Sequence, residues 1–238
     1  MKFSYLVISI FLFFTHGVIS AQNSDYYDPL IYNIDTRIEH NVSGVSSNID
    51  LSTVKGSPYE NKNFQLGKAV NRTTGKPEDF YLRYNVYNDV IELKKSNAST
   101  DIGGLIKSED IYAIINNREY HYKKYLDSKS KQKEGYFILL KKGKHSSLYL
   151  KKLKDFKDKV MPKDNFEKEK PATFTDDQTY YLQKGNVLVH VASRKKKFLE
   201  QYPEISKDLG KYIKSEKINL KSEKDVIKLF SYLDTLLK

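Results

Sequence analysis

Short runs of alternating apolar and polar residues, joined by polar turns of two to four residues, constrain the fold of this chain more than any other feature. A period of two is typical of a β-strand with one buried face. Two such runs joined by a short turn predict an antiparallel hairpin. The pattern occurs four times, over residues 80–94, 111–122, 136–153 and 180–191. Successive hairpins on short connections predict an antiparallel meander or a partly closed sheet.

The residues at the turns predict the pairing of three of these hairpins. Asparagine, aspartate and glycine tolerate the positive φ angles of two-residue turns, which places turns at 88–89, 116–117 and 185–186. In the first hairpin Tyr84 would then face Leu93 on an apolar side. Asn85 would face Glu92 on the opposite, polar side, which we expect to be in contact with solvent.

The same argument applies to the last hairpin. A turn at 185–186 places Leu182 opposite Val189 and Tyr180 opposite Val191. Residues 155–171 are charged and bounded by proline, and we interpret them as a long excursion between strands.

After Val191 the period changes from two to that of a helix. We predict a short basic helix over Ser193–Tyr202 and a second helix that begins at Pro203. Ser222 has the sequence of a helix N-cap, and an apolar stripe follows at Val226, Phe230, Leu233 and Leu237. Such a stripe usually packs against a sheet; the alternative is an exposed helix that binds a partner. The sequence therefore predicts an α+β fold.

The first residues have the order of a signal peptide. Lys2 precedes an apolar run from Tyr5 to Phe14, and small residues end the segment at Ala21. The apolar run is too short for a membrane-spanning helix, which needs about 20 residues. We predict a signal peptide over 1–21, an extended or partly disordered arm over 22–60, a β domain over 61–192 and helices packed on it over 193–238.

The absence of cysteine excludes disulfides, thiol nucleophiles, cysteine-ligated zinc and a lipidated N-terminal cysteine. An exported domain without disulfides favours a bacterial periplasm, envelope or extracellular location. The net charge of +11 is concentrated, because residues 121–170 hold 16 lysines and 7 acidic residues. A positive field of this kind favours anionic partners, although it also serves solubility.

Two clusters of basic residues are the candidate anion-binding sites. The first lies on both arms of the third hairpin, where the strands would bring the lysines to one end of the sheet. Because lysine lacks the planar fork of arginine, we do not expect specific recognition of nucleic acid. The first cluster is Lys141, Lys142, Lys144, Lys151, Lys152 and Lys154, and the second is Arg194, Lys195, Lys196 and Lys197.

Motifs of common enzymes are absent from the sequence. The chain has no P-loop, nucleophile elbow, zinc-protease helix, dinucleotide fingerprint or EF-hand loop. Ser52-Thr53-Val54-Lys55 matches a Ser–Lys nucleophile pattern, but the same spacing recurs by chance in a chain so rich in lysine. We therefore predict no catalytic, cofactor or metal residues.

The four histidines after the signal segment, His40, His121, His145 and His190, lack metal-ligand spacing. Carboxylates are dispersed, and no pair is identified that would serve a glycosidase.

Two segments of the sequence are distinctive, Leu82–Asp89 and Lys217–Leu233. Further recognisable segments are Lys55–Tyr59, Phe64–Gly67, Ile91-Glu92, Gly135–Phe137, Leu139-Leu140, Gly143-Lys144, Lys170–Ala172, Phe174 and Tyr180–Leu182. In these segments, over about residues 55–237, the chain resembles an uncharacterised family of exported proteins from Bacteroidetes-type bacteria. The resemblance implies one exported domain and a location in the periplasm or outer envelope, and it implies no activity.

These observations favour a non-catalytic, envelope-associated binding protein without a transmembrane span after signal cleavage. Its expected partner is an anionic envelope polymer or another envelope protein. Two alternatives stay open. One is an envelope hydrolase with a dispersed site, and the other is a structural protein–protein interaction module.

Overall fold

A computed structural model describes residues 30–33, 39–42, 45–162, 164 and 168–237. The predicted signal peptide over 1–21 lies outside the described residues. The strands of the described residues are, in chain order, β1 (Ile31–Asn33), β2 (Glu39–Val42), β3 (Val45–Asn48), β4 (Gln65–Asn71), β5 (Pro77–Asn85), β6 (Val90–Lys94), β7 (Gly103–Leu105), β8 (Ile111–Ile115), β9 (Arg118–Leu126), β10 (Gln132–Lys142), β11 (Ser147–Lys157), β12 (Thr173–Lys184) and β13 (Val187–His190).

The strands form one large sheet in the order β1-β7-β6-β5-β4-β8-β9-β10-β11-β12-β13, and β2 pairs with β3 separately. Neighbours in this order are antiparallel. The predicted antiparallel meander is confirmed. β11 extends to Lys157 and β12 begins at Thr173, so the predicted excursion over 155–171 is shorter than expected, and a bridge between Val160 and Lys170 closes it.

The second and fourth hairpins have the predicted registers. Ile115 pairs with Arg118 across a turn in which Asn116 and Asn117 both have positive φ. Leu182 pairs with Val189 across the turn at Gly185, which also has positive φ. In both hairpins the local turn chemistry determines the pairing.

The predicted register of the first hairpin is wrong by two residues. Tyr84 pairs with Ile91 instead of Leu93, and Arg83 lies directly opposite Glu92. The strand ends early because the Val86 N–H donates to the Pro58 carbonyl, 2.9 Å away, and is lost to the ladder. A four-residue turn results, and a shift of two residues leaves the two faces unchanged.

The polar face of this hairpin is buried, which corrects the expectation of a solvent-exposed face. Asn85 and Glu92 are each 1% exposed. Glu92 accepts hydrogen bonds from Arg83 and from Asn85 Nδ2. The Arg83 guanidinium lies 3.7 Å from the ring centroid of Tyr59, so residues of the preceding segment cover the ion pair.

Strand β13 closes the end of the sheet. It pairs antiparallel with β12 and parallel with β9, where Leu188 lies opposite Tyr125. Strands β9 to β13 thus form a five-stranded ring, which is the partly closed sheet expected from the sequence. The ring contains a hydrophobic cluster of four aromatic residues and one leucine: Tyr125, Phe137, Tyr149, Tyr181 and Leu188.

Three helices pack on the other face of β11 and β12: α1 (Lys195–Glu200), α2 (Ser206–Ser215) and α3 (Glu223–Leu236), with a 3-10 turn at Pro203–Ile205. Ser222 caps α3 by accepting from the Asp225 N–H, as predicted. Val226, Phe230 and Leu233 of the predicted stripe are buried in the same core as Leu148 and Leu182. The stripe therefore belongs to the core.

Candidate functional site

The structure separates the first predicted basic cluster into two groups. Lys141, Lys142 and Lys144 lie at the turn between β10 and β11. Lys154 lies seven residues along β11 from Ser147, which is roughly 20 Å at the rise of a strand. The two arms of the hairpin therefore do not bring all six lysines to one end of the sheet.

Lys151 is buried, so it is not part of an anion-binding surface. β10 and β11 separate beyond the Ile138–Leu150 pair, and Asp89 from the β5–β6 turn occupies the fork. Lys151 Nζ donates to Asp89 Oδ2 at 2.7 Å and to the Tyr136 carbonyl at 3.1 Å. Burial lowers the pKa of Lys151, and the attraction of Asp89 opposes that shift.

Asp89 holds the fork together through three donor groups. Its carboxylate also accepts from the Tyr84 hydroxyl at 2.6 Å and from the Tyr136 N–H. A side chain at Gly135 would collide with both members of the ion pair, because a Cβ there would touch Asp89 Oδ2 and lie 2.6 Å from Lys151 Nζ. The Asp89–Lys151 pair is thus a structural contact between the β5–β6 turn and β11, buried at Lys151 and half-buried at Asp89.

Lys152 and Lys154 of β11 are also engaged. Lys154 Nζ lies 2.5 Å from Asp176 Oδ1. Lys152 lies 4.0 Å from Glu60 and donates to Gln178 Oε1 at 3.4 Å.

At the opposite end of β11, two turns lie side by side. The β10–β11 turn at 143–146 and the β12–β13 turn at 185–186 are joined by a hydrogen bond of 2.8 Å from Ser146 Oγ to the Gln183 carbonyl. This surface, which we call the basic double turn, carries Lys142, Lys144, His145 and Lys184. All four side chains are exposed.

Asp234 near the end of α3 fixes the basic double turn. Its carboxylate accepts the backbone N–H groups of Lys144, His145 and Ser146 at 2.6–3.0 Å. Burial alone would raise the pKa of Asp234, but these donors hold it below its ordinary value. A Cβ on Gly143 would lie 2.5 Å from the Asp234 carboxyl carbon, so the close approach requires glycine.

The cations of this surface remain available to a ligand. Within the described part of the chain, Lys142, Lys144 and Lys184 form no ion pair. Both carboxylate oxygens of Asp234 accept hydrogen bonds from backbone N–H groups. Lys141 beside them donates to Ser231 Oγ at 2.6 Å. Sequence reasoning identified Lys142 and Lys144 but missed Lys184, whose neighbourhood depends on the β11–β12 register.

The second predicted cluster is exposed but dispersed around the start of α1. Arg194 is the N-cap residue. Lys195 donates to the Gly210 carbonyl at 3.3 Å, and Lys197 pairs with Glu200 at 3.1 Å. Lys196 is exposed on the same turn.

A polar cleft of about 230 Å³ lies between the segment before β4 and the start of β9. Glu60 is central to it. The Tyr120 hydroxyl donates to Glu60 Oε2 at 2.7 Å, and Arg118 and Lys152 lie 3.9 and 4.0 Å from Oε1. Burial, followed by the charge of Glu60, raises the pKa of Tyr120 above its ordinary range. Arg118 also pairs with Glu223 of α3.

His121 is 3% exposed and is held between two side chains. Arg72 can only donate, so His121 Nδ1 accepts from it at 2.7 Å. The Nε2–H then donates to Glu119 Oε2 at 2.9 Å. Burial is the largest cause that lowers the pKa of His121, from 6.5 to about 4. The imidazole is therefore neutral at physiological pH.

This burial predicts a dependence of stability on pH. Because the folded protein binds the proton less well than the unfolded chain, the free energy of unfolding falls as pH drops from about 7 toward 4. The loss attributable to His121 approaches about 3 kcal/mol. Denaturant unfolding of the wild type and of His121→Asn at several pH values measures it. The variant should be less stable at pH 7 but should lose less stability on acidification; equal losses would contradict this assignment.

Comparison of the chain with protein-family models, with curated proteins and with solved structures finds no match. Among the described residues, no helix is long and apolar enough to span a membrane. No group of three or more His, Cys, Asp or Glu side chains suited to a metal ion occurs in that part of the chain.

Proposed function

We propose that this protein is an exported, non-catalytic binding module that contacts anionic polymers of a bacterial envelope through the basic double turn. The observation that carries the proposal is the arrangement of Lys142, Lys144 and Lys184 on two adjoining turns. Within the described residues these three lysines form no ion pair, whereas Lys151, Lys152 and Lys154 of β11 each lie within 4.0 Å of a carboxylate. Clustered, unpaired lysines attract linear polyanions without requiring a shaped pocket.

The rigidity of the surface supports this function. Asp234 binds three backbone N–H groups of one turn, and Ser146 joins that turn to the next. A preorganised cluster loses less conformational entropy on binding than lysines on a flexible loop. Lysine rather than arginine at these positions favours charge attraction over the recognition of a particular chemical group.

Chromatography on immobilised heparin tests the proposal. We expect the wild type to elute at a moderate salt concentration and the triple variant Lys142→Gln, Lys144→Gln, Lys184→Gln to elute much earlier. The matched control replaces Lys76, Lys207 and Lys214, which are exposed and form no ion pair within the described residues. Both variants lose three charges, so equal losses of retention would show that net charge alone is responsible and would refute a defined site.

Two other hypotheses from the sequence receive less support. An interaction module that uses the stripe on α3 would need an exposed apolar surface there, but Val226, Phe230 and Leu233 are buried. A hydrolase of the glycosidase type needs two functional carboxylates in one cleft. Glu109 and Glu134 do line a surface cleft of about 170 Å³ together with Lys107 and Lys124, and substitution of either acid should leave binding to heparin unchanged.

A further inference from the structure

The polar cleft around Glu60 has the features of a second binding site, distinct from the basic double turn. Its lining divides into two parts. Leu82, Tyr84 and Ile115 form an apolar floor, and all three are buried. Side-chain amides surround this floor and are mostly exposed to solvent; they belong to Asn61, Asn63, Gln65 and Asn116.

The amides keep hydrogen-bonding capacity for a ligand. Asn116 Nδ2 donates to Gln65 Oε1, which leaves Asn116 Oδ1 and Gln65 Nε2 unused. Asn61 Oδ1 accepts from the Asn63 N–H at 2.9 Å, which leaves the Asn61 Nδ2 group as a donor for a ligand. The Asn63 side chain has no partner among the described residues. The rim therefore offers both donors and acceptors, as a hydroxyl group requires.

The charges at the cleft cancel. Glu60 lies near Arg118 and Lys152, and Arg118 also pairs with Glu223. The remaining charged lining residue, Arg83, is neutralised by Glu92. Three acidic and three basic side chains thus leave no net charge to attract an ion. This differs from the basic double turn, where the exposed charged side chains are lysines and the Asp234 carboxylate is buried against the backbone.

We infer that this cleft binds one ring of a neutral saccharide. An apolar floor suits the C–H face of a sugar ring, and amides at the rim suit its hydroxyl groups. The volume of about 230 Å³ is below the roughly 300–1,000 Å³ of pockets for drug-sized ligands, which limits the occupant to a ring-sized group. A glycan that carries both neutral and anionic units would engage the cleft and the basic double turn together.

NMR titration of ¹⁵N-labelled protein with glucose, N-acetylglucosamine and glucuronate tests this inference. We expect the side-chain amide signals of Asn63, Gln65 and Asn116 to shift with at least one neutral sugar at millimolar concentration, and to shift less with glucuronate. The double variant Asn63→Ala, Asn116→Gly should weaken binding at least tenfold. Glycine is chosen at 116 because φ there is +50°, so the turn is preserved.

Control measurements separate this site from the rest of the protein. The variant Gln132→Ala removes an exposed amide on β10 and should bind like the wild type. The triple lysine variant should also bind neutral sugars normally, so failure of the proposed polyanion contact would leave this inference standing. Absence of shifts with both neutral sugars at 50 mM, or a stronger response to glucuronate, would overturn it.

Discussion

Replacing Lys151 by methionine should lower the free energy of unfolding by about 3–5 kcal/mol. Lys151 is 4% exposed, and its ammonium group neutralises Asp89 at the fork between β10 and β11. Methionine keeps the length of the side chain and the contacts with the Phe137 and Tyr125 rings, so the loss reports on the charge. The carboxylate would remain in the fork without its cation, which is the costly outcome for a buried pair. Denaturant unfolding measures the change.

Two further variants make this expectation specific. Asp89→Asn is compatible with the φ of +52° at this position. In combination with Lys151→Met it should recover part of the lost stability, because no unpaired charge remains. Lys133→Met is the control, since Lys133 pairs with Asp127 on the surface and its side chain is 53% exposed; it should have a much smaller effect. An unchanged stability in Lys151→Met would contradict the role assigned to the pair.

Truncation of Phe137 to alanine should also cost about 3–5 kcal/mol. Phe137 is 1% exposed and lies at the centre of the five-stranded ring. Its ring centroid is 5.1 Å from that of Tyr125 and 5.0 Å from that of Tyr181, in edge-to-face arrangements. These contacts join β9, β10 and β12, so the variant should loosen the closure by β13. Thermal or denaturant unfolding measures the loss.

Hydrogen exchange shows whether the closure itself is affected. In Phe137→Ala the amides of β13 should exchange much faster, whereas those of β4 and β5 should follow only the global loss of stability. Leu66→Ala is the control, because Leu66 is 65% exposed and its truncation should change stability by less than about 0.5 kcal/mol. A loss of stability in Phe137→Ala no larger than in this control would contradict the position of Phe137 at the centre of the five-stranded ring.

The parts of the fold that were predicted from sequence are those that local chemistry determines. Asn116-Asn117 and Gly185 set their own turns, and Ser222 begins a helix whose apolar stripe is regular. The register of the first hairpin depends instead on Pro58, which lies in a segment without periodicity. Its carbonyl removes a residue from the ladder, and no pattern within the hairpin reveals this contact.

The candidate site was predicted only in part for a related reason. Alternation along β11 places Lys151 on the face that becomes the inside of the ring, and the ring exists only because β13 returns to β9. Lys184 joins Lys142 and Lys144 through the pairing of β11 with β12. The polar cleft combines Asn63, from the segment before β4, with Asn116, from the turn between β8 and β9. Each of these neighbourhoods depends on contacts between distant segments.

The contact between α3 and the β10–β11 turn explains how the lysines of the basic double turn are held in fixed positions. Asp234 of the terminal helix fixes the turn after β10, and the helix is itself held by its buried stripe. Substitution of Asp234 by alanine should therefore weaken binding to polyanions without removing any lysine. The same substitution should leave the ring of β9 to β13 folded.

The salt dependence of polyanion binding tests the central claim most directly. A short DNA duplex serves as a polyanion of known charge density, for which each neutralised phosphate contributes about 0.9 to the slope of log K against log salt. If Lys142, Lys144 and Lys184 form the contact, the triple glutamine variant should reduce that slope by roughly 2.7. The control variant at Lys76, Lys207 and Lys214 should keep the slope of the wild type. An unchanged slope in the first variant, or an equal reduction in both, would contradict a binding site at the basic double turn.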